Sequence, residues 1–135
     1  MQKRSKLREI IIKCLYQIYI YQDIKIAYDI DEIIEENIDI KNDFVNNSIE
    51  GVLKYQKDIN TLANKYLKDW DIDRLNKVDK AIISLGIYEL RFTDTPSIVA
   101  INEAIDLSKK YSDEAVTKMI NAVLDNIYHS EDTNE

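Results

Sequence analysis

The chain has 135 residues, of which 45% are hydrophobic, and its formal net charge is −7. This length suits one domain, and the presence of only two glycines and one proline favours an all-α fold, because strand-rich folds need frequent turn residues. A single cysteine, Cys14, excludes an internal disulfide, and no segment approaches the roughly 20 apolar residues of a membrane span. We therefore expect a cytoplasmic protein with no membrane attachment.

The charges are unevenly distributed along the chain. Residues 1–13 carry five basic residues and one acidic residue, a local balance of +4, whereas the other 122 residues carry a balance of −11. The basic residues of this segment are Lys3, Arg4, Lys6, Arg8 and Lys13. A basic segment on an acidic chain indicates a surface for an anionic partner.

The first predicted helix runs from Ser5 to about Gln22. Its apolar residues recur at helical spacing and include Leu7, Ile10, Ile11, Cys14, Leu15 and Ile18. Most of the basic residues fall outside this apolar stripe. The pattern suits either RNA phosphates or an anionic lipid surface, and lipid is excluded if the apolar stripe packs inside the protein.

Two helices are predicted in the middle of the chain, where no motif stands out. A short helix covers about Ile30 to Asn37. A long helix, capped by Asn42 or Asp43, continues to about Trp70 and contains Gly51. That glycine indicates either close helix packing or a break in the helix.

Three amphipathic helices are predicted between Val78 and Tyr128. Pro96 suits the first turn of the second of them. Their apolar stripes are Val78, Ile82, Leu85 and Tyr88, then Ile98, Ile101, Ile105 and Tyr111, and finally Val116, Met119, Ile120, Val123 and Ile127. Residues 129–135 have no apolar anchor, so we expect a flexible tail.

The order of motifs in this region resembles the C-terminal half of NusB-type transcription antitermination factors. It reads VDKAI, LxxYEL, a proline, VAINEAIxLxKxY and N-VLD, over about residues 73–128. A second match is the RxKxRE start followed by the Leu15–Tyr16 pair. The resemblance implies one NusB-like domain over residues 1–135, a compact bundle of six to seven helices in two small halves (about 1–70 and 71–128) that share a core.

The resemblance also implies a function. NusB-type factors bind boxA-type single-stranded RNA together with a small-subunit ribosomal protein, NusE, and join the RNA polymerase elongation complex to suppress termination in ribosomal RNA operons. With the basic segment, it predicts RNA contacts from Lys3, Arg4, Lys6, Arg8, Tyr16, Tyr111 and Lys118. The partner-binding helix would present Asp79, Tyr88 and Glu89. No cofactor or metal is implied.

Catalysis is not expected from this sequence. The single histidine, His129, lies near the chain end, and neither GxGxxG, GxxxxGK[ST] nor GxSxG occurs. The alternatives are an RNA-binding module related to the N-terminal domain of rRNA cytosine methyltransferases and a helical interaction protein without enzymatic activity. Whether the chain forms a homodimer stays open.

Overall fold

The computed structural model describes the backbone of residues 3–133 and the side chains of residues 3–130. Over this range the chain forms helices and no strands, which confirms the all-α prediction. The helices are α1 (Arg4–Asp23), α2 (Ile30–Asn37), α3 (Asp43–Lys54), α4 (Gln56–Tyr66), α5 (Lys77–Phe92), α6 (Ser97–Tyr111) and α7 (Glu114–Thr133), with a short 3-10 helix (Ile72–Arg74) before α5.

Helix α5 lies at the centre of the bundle. It packs against α1, α3, α4, α6 and α7. Every residue from Asp79 to Ile87 is buried, so the helix has no solvent face along this stretch. The predicted stripe on this helix is therefore too narrow, because helices surround α5 on more than one side.

Helix α1 buries the apolar stripe that its spacing predicts. Leu7, Ile11, Leu15 and Ile18 are each at most 4% exposed, within the core shared with α5. Cys14 is fully buried, and burial raises the pKa of its thiol to about 11. The apolar face of α1 is thus used inside the protein, which removes the basis for binding lipid through this helix.

The predicted long helix is in fact two helices, which is a correction to the sequence reading. Helix α3 ends before Tyr55 and α4 begins after it, and α4 ends at Tyr66 rather than near Trp70. The Tyr55 ring stacks on Phe92 of α5, with ring centroids 4.4 Å apart. This contact fixes the bend that lets α3 pack on α1 while α4 packs on α7.

Gly51 allows close packing and does not mark the break. A Cβ atom at Gly51 would lie 2.2 Å from the hydroxyl oxygen of Tyr88 on α5. The break comes four residues later, at Tyr55. A glycine at this point of α3 therefore makes room for the Tyr88 ring.

Helix α6 buries a different stripe from the predicted one. Its buried residues are Ala100, Ala104, Leu107 and Ser108, whereas Ile98 is 69% exposed. Small residues of α6 face α5 because the two helices are close together here. A Cβ atom at Gly86 of α5 would lie 3.2 Å from the Ala104 methyl group. The isoleucines sit beside this contact instead of inside it.

The helix ends follow ordinary capping chemistry. Asn76 caps α5 by accepting a hydrogen bond from the Asp79 backbone N–H, and Asp71 caps the 3-10 helix in the same manner. Pro96 is the N-cap residue of α6, one position before the first turn in which it was predicted. Helix α7 continues through Thr133, so the tail expected from residue 129 begins inside this helix, and residues 134–135 lie outside the described range.

Candidate nucleic-acid interface

The exposed cations of the basic segment lie on more than one side of α1. Lys3, Arg4 and Lys6 are exposed, as is Lys13 two turns further along. The Arg4 guanidinium lies over the Phe44 ring of α3, 4.4 Å from its centroid, whereas Lys6 Nζ lies 3.4 Å from Glu9, a carboxylate that also binds Lys110 of α6. Beside Arg4 is a groove of about 660 Å³ that Phe44 and Tyr88 help to line.

Arg8 does not reach the surface, which corrects its predicted role as an RNA contact. Its side chain is 3% exposed and lies between two carboxylates. Nε and Nη2 donate to the two oxygens of Glu89 at 2.8 Å, and Nη1 donates to Glu103 Oε1 at 3.0 Å. Ser5 Oγ donates to the same Glu103 oxygen at 2.7 Å. Arg8 therefore joins α1 to α5 and α6 inside the fold.

Helices α1 and α6 meet again at Glu9. Its Oε1 atom accepts hydrogen bonds from Lys110 Nζ and from the Tyr111 hydroxyl, each 2.6 Å long. Its Oε2 atom lies 3.4 Å from Lys6 Nζ. These three donors lower the pKa of the Glu9 carboxyl to about 2, with Lys110 the largest cause. The carboxylate is thus ionised at neutral pH and surrounded by positive charge.

Two predicted tyrosines are exposed near this meeting point. Tyr111 is 38% exposed at the end of α6, and Tyr16 is 41% exposed on α1. Tyr16 follows Glu9 by seven residues, which places both on one face of the helix, two turns apart. Exposed aromatic rings beside cations are surfaces on which single-stranded bases stack.

Lys118 lies on another helix. It is the fifth residue of α7, is 78% exposed, and pairs with Glu114 one turn earlier, at 3.6 Å. Helix α7 begins three residues after Tyr111, so this lysine is near the end of α6 along the chain. No contact ties it to the Glu9 cluster among the interactions of the described side chains.

Two of the three predicted partner contacts are buried, which corrects the prediction that α5 presents them to a partner. Glu89 is 2% exposed and binds Arg8, and Asp79 is 4% exposed and accepts a hydrogen bond from Ser112. Burial raises the pKa of the Asp79 carboxyl. Tyr88 is half-buried against Gly51. These side chains are buried because α5 lies at the centre of the bundle and exposes little surface.

A model of the NusB family matches residues 5–129 of the chain. The chain belongs to the NusB family. Two relatives of similar length are transcription antitermination proteins NusB. That of Listeria innocua is 37% identical over 126 residues, covering 93% of this chain and 95% of the relative. That of Bacillus subtilis is 37% identical over 127 residues, covering 93% and 94%.

Solved NusB structures have the same fold as this NusB-family chain. A T. maritima NusB structure superposes with a TM-score of 0.82 at 30% identity, covering 95% of this chain and 92% of that one. A structure described as antitermination factors NusB and NusE in complex with dsRNA gives a TM-score of 0.80 at 26% identity, covering 94% and 96%. The resemblance stated from the motifs is thereby confirmed for family and fold.

Some features of this NusB-family surface were not predicted from sequence. Glu9 and Lys110 take part in the cluster around Tyr111. The sequence indicated this role only through the position of Glu9, which is the one acidic residue among residues 1–13. A second groove, of about 750 Å³, lies between the end of α4 and α7, with Trp70 and Met119 among its lining residues. Across residues 3–133 no helix is able to cross a membrane. Among the side chains of residues 3–130, no group of His, Cys, Asp and Glu is able to hold a metal ion.

Proposed function

We propose that this chain is a non-enzymatic, RNA-binding transcription antitermination factor. It binds boxA-type single-stranded RNA together with the small-subunit ribosomal protein NusE, and the pair joins the RNA polymerase elongation complex during ribosomal RNA synthesis. Family membership supports the class of function. One structural observation supports the RNA surface in particular: two exposed cations, Lys6 and Lys110, contact the same carboxylate, Glu9, as the exposed Tyr111 where α1 meets α6.

The proposed contacts divide by chemistry. Exposed lysines and arginine neutralise phosphates, and each neutralised phosphate adds a salt-dependent increment to binding. The two tyrosine rings provide stacking surfaces for unpaired bases. The contacts are Lys3, Arg4, Lys6, Lys110, Lys118, Tyr16 and Tyr111. Arg8 is left out, because its guanidinium is buried and bound to Glu89 and Glu103.

A basic protein partner fits the remainder of the molecule. Outside the first 13 residues the chain carries a charge of −11, which attracts a basic partner over long range. The same field repels RNA, so we expect weak RNA binding by the chain alone and tighter binding once a basic partner enlarges the positive surface.

Fluorescence anisotropy with a labelled boxA-type RNA tests the proposal. We expect selective binding over a scrambled RNA and over a duplex of the same sequence, strengthened by NusE. Lys6→Ala/Lys110→Ala should weaken binding and flatten its salt dependence. The matched control is Lys57→Ala/Lys65→Ala, which removes two exposed cations from α4 and should leave binding unchanged. Equal affinity for all three RNAs, with no effect of NusE, would refute the proposal.

The oligomeric state and the last assembly step need their own experiments. Analytical ultracentrifugation of the chain, with and without NusE, tests whether a homodimer forms and whether the partner dissociates it. Copurification of RNA polymerase with the chain, in the presence of NusE and boxA-type RNA, tests entry into the elongation complex. Loss of copurification when the RNA is scrambled is the expected control result.

A further inference from the structure

Glu9 is the one carboxylate of residues 1–13, and it lies inside the cation cluster that the proposed function uses. Its side chain is 15% exposed, whereas Lys6 and Lys110 are 67% and 53% exposed. The Glu9 side chain is therefore more buried than the two lysine side chains that bind it. Both of its oxygens are occupied by donors from this cluster.

The three donors around Glu9 form an arrangement that also suits a phosphate group. Two ammonium groups and one hydroxyl converge on a single anion, and they come from α1 and from the end of α6, about 100 residues apart in the chain. A phosphate diester has two non-bridging oxygens that share one negative charge, as the oxygens of a carboxylate do, and it binds such donors by charge-assisted hydrogen bonds. The three donors therefore form an anion-binding site, and the Glu9 carboxylate occupies it.

We propose that Lys6, Lys110 and the Tyr111 hydroxyl form a binding site for an RNA backbone phosphate, and that Glu9 occupies this site in the free protein as an internal competitor. The inference rests on the proposed RNA-binding function and specifies where one phosphate binds. When RNA arrives, the phosphate takes over the two ammonium donors and the carboxylate turns toward solvent.

Competition of this kind lowers affinity for any RNA that offers charge alone. A phosphate must displace an ion pair that is already made, so the net gain per contact is small. An RNA that also stacks its bases on Tyr111 and Tyr16 supplies the remaining free energy. Glu9 thus makes binding depend on stacking as well as on charge, and it reduces non-specific attraction to other nucleic acids.

Glu9→Gln tests this inference because it keeps the size of the side chain and removes its charge. With the labelled single-stranded RNA at low salt, we expect about two- to fivefold tighter binding, the effect of one exposed ion pair. The log–log salt slope should become steeper by about 0.7, the increment for one phosphate on a single strand. Selectivity for boxA-type over scrambled RNA should fall, because scrambled RNA binds mainly through charge and therefore gains more affinity than boxA-type RNA does.

Two controls separate the site from a general charge effect. Glu50→Gln on α3 changes the net charge by the same amount at an exposed position and should leave RNA binding unchanged. In a Lys6→Ala/Lys110→Ala background, Glu9→Gln should have no further effect, because both ammonium donors are gone and the phosphate site has lost its charge. Circular dichroism of each variant verifies that the helices are retained.

If the wild-type chain binds RNA selectively, weaker or unchanged RNA binding by Glu9→Gln would overturn the inference and make Glu9 a positioning residue for Tyr111. Inorganic pyrophosphate, followed by NMR shifts of the Tyr111 ring, provides a readout that does not depend on RNA. If the wild-type chain fails to bind RNA selectively while Glu9→Gln gains pyrophosphate affinity, the proposed function fails and the anion site stands. If Glu9→Gln gains affinity for neither ligand, the anion site is refuted.

Discussion

Arg8 donates two parallel hydrogen bonds to Glu89, from Nε to Oε1 and from Nη2 to Oε2, each 2.8 Å long. Both side chains are at most 3% exposed, so this pair is withdrawn from water. A second carboxylate, Glu103, binds the third guanidinium nitrogen at 3.0 Å. One basic residue of α1 therefore fastens this helix to α5 and α6 and adds nothing to the basic surface.

Arg8→Ala should destabilise the fold strongly, because it leaves the buried Glu89 carboxylate without a cation and with only the Thr95 hydroxyl, at 3.3 Å, as a donor among the described side chains. We expect a loss of about 3–5 kcal/mol in the free energy of unfolding, measured by urea denaturation. Arg8→Lys should rescue little of this, since an ammonium group cannot make the two parallel bonds. The control is Arg4→Ala, which removes an exposed cation over Phe44 and should cost about 0.5–1 kcal/mol. Equal losses for Arg8→Ala and Arg4→Ala would contradict the structural role.

Gly51→Ala should also destabilise the protein, although alanine favours helices over glycine. The added methyl group would lie 2.2 Å from the Tyr88 hydroxyl oxygen, so the ring must move. Overpacking of this kind costs about 1–3 kcal/mol, more than the gain of about 1 kcal/mol in helix propensity.

A double-mutant cycle with Tyr88→Ala isolates this contact in thermal and urea unfolding. In the Tyr88→Ala background the ring is absent, so Gly51→Ala should become neutral or stabilising. If Gly51→Ala costs the same in both backgrounds, the close approach of α3 to α5 does not explain the glycine.

The apolar spacing predicts some helices of this fold well and others poorly. Helix α1 has one buried stripe and a solvated remainder, so residues such as Ile11 and Leu15 could be assigned to the core from their period alone. Helix α5 is buried on nearly every side, and a stripe cannot describe it. On α6 the close contact with Gly86 selects Ala104 for the buried face and leaves the larger Ile98 outside.

Only part of the candidate RNA-binding site could be predicted from the sequence, because the rest depends on packing between helices. A charged residue on a predicted helix is taken as exposed by default, which holds for Arg4 and Lys6 and fails for Arg8. The carboxylates that bury Arg8 lie 81 and 95 residues further along the chain. Two of the three donors around Glu9, Lys110 and Tyr111, lie 101 and 102 residues further along the chain. Pairings over such distances depend on how α1 packs against α5 and α6. That packing cannot be predicted from the spacing of residues within one helix.

Asp79 should make wild-type stability rise, relative to Asp79→Asn, as the pH falls. Burial raises the pKa of this carboxyl above its ordinary value of 3.8, so the folded protein holds the proton more tightly than the unfolded chain does. This contribution is fully present below pH 3.8 and is lost as the pH rises through the folded pKa. Urea denaturation of both proteins at pH 7 and pH 4 measures it, and a constant difference between them would contradict the prediction.

Glu9 should show the opposite dependence on pH. Lys110, Tyr111 and Lys6 lower the pKa of its carboxyl from 4.5 to about 2, so the folded protein favours the ionised form. The resulting stability is present above pH 4.5 and is lost as the pH falls toward about 2. We therefore expect Glu9→Gln to be less stable than the wild type at pH 7 and to approach it at pH 2.5. Urea denaturation across this range tests the expectation, with Glu50→Gln as the control. A gap between wild type and Glu9→Gln that persists at pH 2.5 would mean that the carboxylate does not hold the cluster together through its charge.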